Sequence, residues 1–313
     1  MKVIVLSERS VAASPPGHSR RVVSLVEHYL SLGHDVLQAH LLDRDASLLT
    51  RSLVAAGYSY RKLAPIGPDL VVVAGLGAPH MLFLGTKLAR RVDVVFDSCD
   101  SWSLQLSARR AAHARTLALK AGIALTRRAS VDFSYISTRD AAADAALLDG
   151  TPIVIPPHVN PELAQLAPVS YPLERLVIAA DLRSFHNLEM LDMVLRAASQ
   201  TSRETGVRLE IFGHASDRMA LPENVRHLGW VDHLSSVYDG NTGVVITNSP
   251  GSGLPNKAIE AMQARRPMAL HHSIDYLPHV DPRTAYWFHD EQSLSRSLLA
   301  MVRGEARDEG SEV

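Results

Sequence analysis

Short aliphatic and β-branched runs recur along the chain, each followed by a turn and then by apolar residues at helical spacing. Lys2 to Leu6 reads as a strand, followed by a loop, a helix from about Ser19 to Leu32 and a strand from Asp35 to Leu41. After a poorly defined stretch come Asp69 to Ala74, a helix from about Pro79 to Arg91, and Val92 to Phe96. A long Ala/Arg-rich helix follows, then Val131 to Ile136, a helix over Thr138 to Leu148, and Pro152 to Ile155. Strands alternating with helices in this way predict βαβ units and a parallel sheet, so residues 1–156 read as one doubly wound domain.

Pro156, Pro157, Pro161, Pro168 and Pro172 punctuate a stretch of weak periodicity that reads as an interdomain linker. The alternation resumes with Leu176 to Ala180, a helix from about Asn187 to Thr201, and Val207 to Phe212. Val225 to Leu228, Gly243 to Thr247, a helix from about Asn256 to Ala264, and Met268 to His271 complete a second sheet. A last helix, about Gln292 to Val302, is placed to fold back across the linker. The second domain is thus residues 157–313, and two such halves imply a ligand cleft at the carboxyl ends of their strands.

Composition narrows the classes. At 313 residues, 46% hydrophobic and 21% charged, the chain can bury two cores. Lys and Arg total 32 against 33 Asp and Glu, which excludes a generally cationic coat for nucleic acid. The near-neutral total is a cancellation: residues 1–156 hold 18 basic and 13 acidic side chains, the remainder 14 and 20. Cys99 is the single cysteine, which excludes an internal disulfide framework or a Cys-rich zinc site. Met1 to Leu6 is too short and wrongly flanked for a signal peptide, and charges interrupt every apolar tract before the roughly 20 residues of a membrane span. A cytoplasmic protein is expected.

The most specific segment is Gly251-Ser252-Gly253-Leu254-Pro255-Asn256-Lys257-Ala258-Ile259-Glu260-Ala261-Met262. It follows an apolar strand and opens a helix, which puts flexible backbone and unpaired N–H groups where an anion can dock. Lys257 adds a positive charge suited to a diphosphate, and Glu260, one turn on, can share its face. A carboxylate there can accept two charge-assisted hydrogen bonds from a ribose diol, each worth about 1.5–3 kcal/mol. An ordinary helix with an i,i+3 ion pair gives the same spacing.

This segment, with Ala264 and Pro267 after it, resembles the donor-binding segment of GT-B glycosyltransferases, particularly glycosyltransferase family 4 (group 1). Gly17 with Gly33-His34-Asp35-Val36, Asp132 with Ser137 and Ile153 to Pro156, Ala180 to Asn187, Ile211-Phe212-Gly213, and Val225 to Val231 resemble further passages of that group. The resemblance implies two Rossmann-type domains and transfer of a sugar from a nucleotide-diphosphate donor. It implies a donor site with Glu260 on the ribose and Lys257, Asn256, Gly251, Ser252 and Gly253 about the diphosphate, with Arg183, Gly17 and Gly213 in adjoining loops. No cofactor beyond the nucleotide sugar is implied, no metal, and retention at the anomeric carbon. Two departures stand out: Ser252 occupies the place of the first glutamate of a two-glutamate pattern, and Arg265 that of a glycine.

Asp97, Asp100 and His80 are the candidate acids or bases in the first domain, with a helix N-cap as the alternative role for Asp100. His158 stands where a Gly is usual and is a further candidate for facing the donor. Gly75-Leu76-Gly77 lacks the third glycine of a dinucleotide fingerprint, which disfavours an NAD-dependent oxidoreductase. Asp43-Arg44-Asp45 resembles the metal-binding motif of GT-A transferases but is short enough to arise by chance. A nucleotide-sugar epimerase and a non-catalytic nucleotide-binding protein of the same fold remain as alternatives. Between Asp100 and Asp132 the chain holds Arg109, Arg110, Arg115, Lys120, Arg127 and Arg128 and no acid, so an anionic acceptor or membrane surface is a candidate partner for the Arg109 to Arg128 stretch.

Overall fold

The computed structural model describes residues 1–11, 16–43, 46–75, 78–104, 121, 124, 126, 129–148, 151–180, 182, 190–214, 221–247 and 254–305. Two compact units divide between His158 and Val159, except that Leu254 groups with the first.

The first unit is built on a six-stranded sheet of β1 (Lys2–Arg9), β2 (Asp35–Leu42), β3 (Leu70–Ala74), β4 (Asp93–Cys99), β5 (Asp132–Tyr135) and β6 (Ile153–Val154), in the order β2-β1-β3-β4-β5-β6. Every pairing is parallel. Both faces are covered, which is why these strands read as continuous apolar runs. Val3, Val5 and Val72 pack on Val22, Leu25 and Tyr29 of α1 (Pro16–Ser31). Alternate residues Ile4, Leu6, Val71 and Val73 face α2 (Leu48–Gly57) and α3 (Pro79–Leu88) through Ala55, Met81, Leu82, Leu84 and Leu88. Each fully buried aliphatic side chain contributes about 1.5–3 kcal/mol. α4 (Thr138–Asp144) follows β5.

The second unit opens with α5 (Pro161–Ala164) and carries β7 (Arg175–Ala179), α6 (Leu191–Thr205), β8 (Arg208–Phe212), β9 (Val225–Gly229), α7 (Ser235–Tyr238), β10 (Thr242–Val245), α8 (Asn256–Gln263), β11 (Met268–His271), β12 (Ala285–Phe288) and α9 (Glu291–Arg303). Its strands are again all parallel, in the order β12-β11-β10-β7-β8-β9. One core gathers Leu176, Ile178, Leu209, Ile211 and Val245 with α6 and α9. The carboxyl end of α9 meets the end of the proline-rich stretch, where the Leu173 amide donates to Val302 O at 2.8 Å.

Several boundaries differ from the sequence pattern. α1 begins three residues early, at Pro16, and α3 ends three residues early, at Leu88. The stretch that pattern leaves undefined contains α2, whose outer face is itself apolar and so gives no amphipathic signal. β12 and the four-residue α7 are likewise absent from the periodicity. The expected Ala/Arg-rich helix lies mostly outside the described residues.

Strand order locates the sites. In the first sheet the chain reverses direction between β1 and β3, and in the second between β7 and β10. In open parallel sheets such switch points leave a crevice beyond the strand carboxyl ends, where ligands bind.

Candidate functional site

At the switch point of the first sheet stand Glu8, near the end of β1, and His80, in the first turn of α3, where Pro79 starts the helix without needing an amide partner. Glu8 Oε2 lies 2.6 Å from His80 Nε2, and Glu8 Oε1 accepts from Arg51 Nη1 at 3.0 Å. Burial alone would raise the Glu8 pKa, but the hydrogen bonds and charges of His80 and Arg51 outweigh it and hold the carboxyl at about 2. An ionised carboxylate only accepts, so Nε2 carries the proton and the second ring nitrogen, Nδ1, is the one that can take another. His80 also lines a groove of about 600 Å³ between α2 and α3.

Asp97 is different. Its side chain is fully buried and accepts from Arg21 Nε at 3.0 Å, Arg21 Nη2 at 2.5 Å and Ser134 Oγ at 2.7 Å. Arg21 continues to Ile155 O at 2.6 Å, so one guanidinium fastens α1 to β4 and to the end of β6. Its pKa is raised because Asp97 outweighs the cost of burial. This arrangement holds the sheet together and leaves Asp97 no lone pair directed at solvent.

Asp100 is partly buried, after Cys99, whose φ of 63° is in the left-handed region. Burial, reinforced by the nearby Asp140 and Asp97, pushes its carboxyl up to about 6. The N-cap role offered as its alternative belongs to neighbours. Ser101 Oγ accepts from the Leu104 amide at 3.1 Å, Asp144 takes the Trp102 and Ser103 amides at 2.8 and 3.0 Å, and Asp140 takes the Ser101 amide at 2.8 Å.

Two glycine-rich features also resolve. A Cβ on Gly75 would sit 1.9 Å from Phe96 Cζ, so this glycine makes room for a core ring. Gly17 lies in the first turn of α1. His158 is tied to α1, its amide donating to Ser24 Oγ at 2.7 Å and its ring to Glu27.

In the second unit, α8 starts just past the carboxyl end of β10, at the second switch point. Asn256 and Lys257 form its first turn, and Pro255 at the N-cap position offers no side-chain cap. Glu260, one turn later, is buried, and its Oε2 accepts from Tyr238 Oη at 2.6 Å. Tyr238 is buried at the end of α7, and its own carbonyl accepts from Arg266 Nε at 2.5 Å. Arg266, fully buried, also donates to Ala167 O at 2.8 Å, while Arg265 donates to Leu166 O at 2.8 Å. The bulky Arg265 at a customary glycine position thus has a structural partner, the carbonyls of the segment entering this unit. Among the described residues the buried Thr247 hydroxyl, two residues past β10, has no hydrogen-bond partner. Gly251, Ser252, Gly253 and Arg183 lie outside the described residues.

Gly213 follows β8 with φ of 121°, a conformation that favours glycine; its amide donates to Gly229 O at 2.8 Å and its carbonyl faces His227 Nε2 at 2.8 Å. The next residue, His214, stacks on Trp230 with ring centroids 5.3 Å apart and planes 16° from parallel. This aromatic pair at the carboxyl ends of β8 and β9 is missing from the sequence-based site. The signal available was Trp230 following Gly229 at the end of a strand, but its partner lies 16 residues away in the sequence.

Among the described residues no group of three His, Cys, Asp or Glu is placed to hold a metal ion, and no helix is long and apolar enough to cross a membrane.

Residues 174–303, from β7 to α9, match the family model described as Glycosyl transferases group 1. No curated protein matches the sequence. The fold is that of Anabaena Alr3699/HepE, solved in complex with UDP, at 15% identity over 95% of this chain and 89% of that one, with a TM-score of 0.69. The lipopolysaccharide outer core galactosyltransferase WaaB superposes with a TM-score of 0.58, at 13% identity over 96% and 90% of the two chains. A Listeria monocytogenes protein provisionally described as a UDP-N-acetylglucosamine 2-epimerase gives 0.59, at 12% identity over 96% and 88%. The chain has the GT-B fold, and most of its second unit matches the group 1 glycosyl transferase family.

Proposed function

We propose that the protein transfers a sugar from a nucleoside diphosphate donor of the UDP-sugar class to a hydroxyl-bearing acceptor. The observation that carries this reading is Glu260, buried one turn into α8 at the switch point of the second sheet and held by Tyr238. The matched family segment spans it, and HepE has been solved with UDP-glucose.

In this reading Glu260 accepts from the ribose hydroxyls. Trp230 and His214 offer a flat shelf for the base at the neighbouring strand ends. Lys257, Asn256, the backbone of Gly251, Ser252 and Gly253, and Arg183 meet the diphosphate, and Gly213 lets the backbone come close to it. As the bond from the anomeric carbon to the diphosphate breaks, negative charge grows on the leaving group, and Lys257 with the aligned N–H groups stabilises it. Removing one such fixed donor costs about 10²- to 10³-fold in rate. With protein groups in this role, the rate should be indifferent to EDTA. In the first unit, His80 rather than Asp97 or Asp100 takes the acceptor proton at Nδ1, because Glu8 fixes its tautomer. Retention at the anomeric carbon is expected, and NMR of the product anomer tests it.

The decisive measurement is a thermal-shift and mass-spectrometric screen of UDP-, GDP-, dTDP- and ADP-sugars against wild type and Glu260→Ala. Stabilisation of wild type by a UDP-sugar, abolished in the variant, is expected. Equal binding by both proteins would end this assignment. The likeness to the Listeria protein favours one second reading, an epimerase, which would convert the donor with no acceptor present.

A further inference from the structure

Arg51 holds Glu8 in a manner unlike that in which Arg21 holds Asp97. Arg21 meets Asp97 through Nε and Nη2 and spends Nη1 on Ile155 O, so every nitrogen of its fork is engaged. Arg51 reaches Glu8 through Nη1 alone, and its Nε is buried with no hydrogen-bond partner among the described residues. A guanidinium placed to fasten two elements uses that edge. What Arg51 brings to Glu8 is one hydrogen bond and a full positive charge. Nor is it the main anchor of α2. Ser47 caps that helix by accepting from the Thr50 amide at 3.2 Å, Ala55 packs in the core, and Lys87 of α3 donates to Ala56 O at 2.8 Å.

Arg51 and His80 act on one carboxylate from opposite sides. Arg51 lies on Glu8 Oε1, with Arg9 Nε 3.4 Å from the same oxygen, and His80 lies on Oε2. A carboxylate favours the imidazolium form of a ring it touches, and a guanidinium on its second oxygen opposes that form through like charge. The Glu8 side chain is only 6% exposed, so water screens these charges weakly. Among the described residues the other charges of the packed elements are spent or distant. β3 carries none, Asp97 of β4 is matched by Arg21, Lys2 and Asp93 stand at the amino ends of β1 and β4, and Lys87 donates to Ala56 O and Tyr58 O.

We infer that Arg51 is a positioning residue for His80: by sharing Glu8 it lets the carboxylate orient the ring while weakening the pull toward the imidazolium, and so extends to lower pH the range in which Nδ1 is ready to take a proton. Arg51 acts through Glu8 rather than on substrate. The catalytic meaning rests on the reading of His80 as the base, whereas the relation among the three side chains is measurable with no substrate present.

The test is a pH titration of the His80 ring by carbon–proton NMR on the full chain, its signal identified by its loss in His80→Asn. Arg51→Gln should move the titration midpoint up by about one pH unit, and Arg51→Lys, which keeps the charge, should leave it near the wild-type position. Arg51→Met, which keeps the stem, gives the same reading if the Gln variant does not fold; circular dichroism and melting temperature check each protein. In release of nucleotide from a UDP-sugar, the acidic limb of kcat/KM should move with the midpoint, so that Arg51→Gln loses about 10-fold on the acidic side and far less on the alkaline side. A purely structural role would lower the melting temperature of the variants and leave the midpoint where it was. An unchanged midpoint in the folded Gln or Met variant, or an equal rise in Arg51→Lys, would overturn the inference. Normal turnover by His80→Asn would instead remove the base assignment, and a shifted midpoint would still uphold the electrostatic role of Arg51.

Discussion

Two ion-paired carboxylates stand near the carboxyl end of the first sheet, and their partners give them opposite uses. Asp97 is matched by Arg21, a cation that does not titrate in water, with Ser134 supplying a further donor. The guanidinium keeps its charge, and the result is a fastening between helix and sheet. Glu8 is matched in part by His80, whose ring has a second nitrogen and sits beside a groove open to solvent. In the proposed mechanism the same kind of carboxylate thus either cements the fold or orients a base, depending on whether its partner is guanidinium or imidazole.

Asp97→Asn tests the first half of this contrast most severely. It strands a buried guanidinium, at a cost of about 3–5 kcal/mol, and should lower the melting temperature by about 10 °C for a unit of this size. A variant that melts normally but loses turnover would return Asp97 to the chemistry. His80→Asn should do the reverse, cutting kcat about 10²- to 10⁴-fold while moving the melting temperature far less than the Asp97 change.

Glu8→Gln should reduce kcat by about 10- to 100-fold, as loss of an orienting partner does. It also changes acid stability. With the folded pKa held at about 2, Glu8 contributes stability that is complete above its unfolded value near 4.5 and is lost as pH falls through about 2. Denaturation curves of the Gln variant should lack that loss. Asp100 has the opposite sign. With its carboxyl raised to about 6, the folded protein keeps a proton that the unfolded chain has released, so stability declines as pH rises from about 4 through 6. Asp100→Asn should remove this decline and raise the melting temperature at pH 7 by about 2–4 °C.

The strands were legible because sheets covered on both faces demand continuous apolar runs, and Met268 to His271 falls where the pattern sets it. α2 was hidden for a physical reason: helical periodicity is read from contrast, and Leu48, Leu49 and Leu53 remove the contrast. The glycine segment and Glu260 stood out in the sequence because they are contiguous there. Tyr238 and Arg21 did not, since their partners lie 22 and 76 residues away and only the folded chain brings them together. The Asp100 cap expectation failed because Asp140 and Asp144, one turn apart on α4, reach the same amides from across the fold.

Arg266 makes one cooperative block out of parts that look unrelated. Its guanidinium grips Ala167 O and Tyr238 O, and the Tyr238 hydroxyl grips Glu260. The entry segment of the second unit and the carboxylate assigned to the ribose therefore share their local opening equilibrium. Amide exchange around Ala167 and α7 should slow together when nucleotide binds, reporting the proposed donor site from a stretch of chain outside the residues assigned to it.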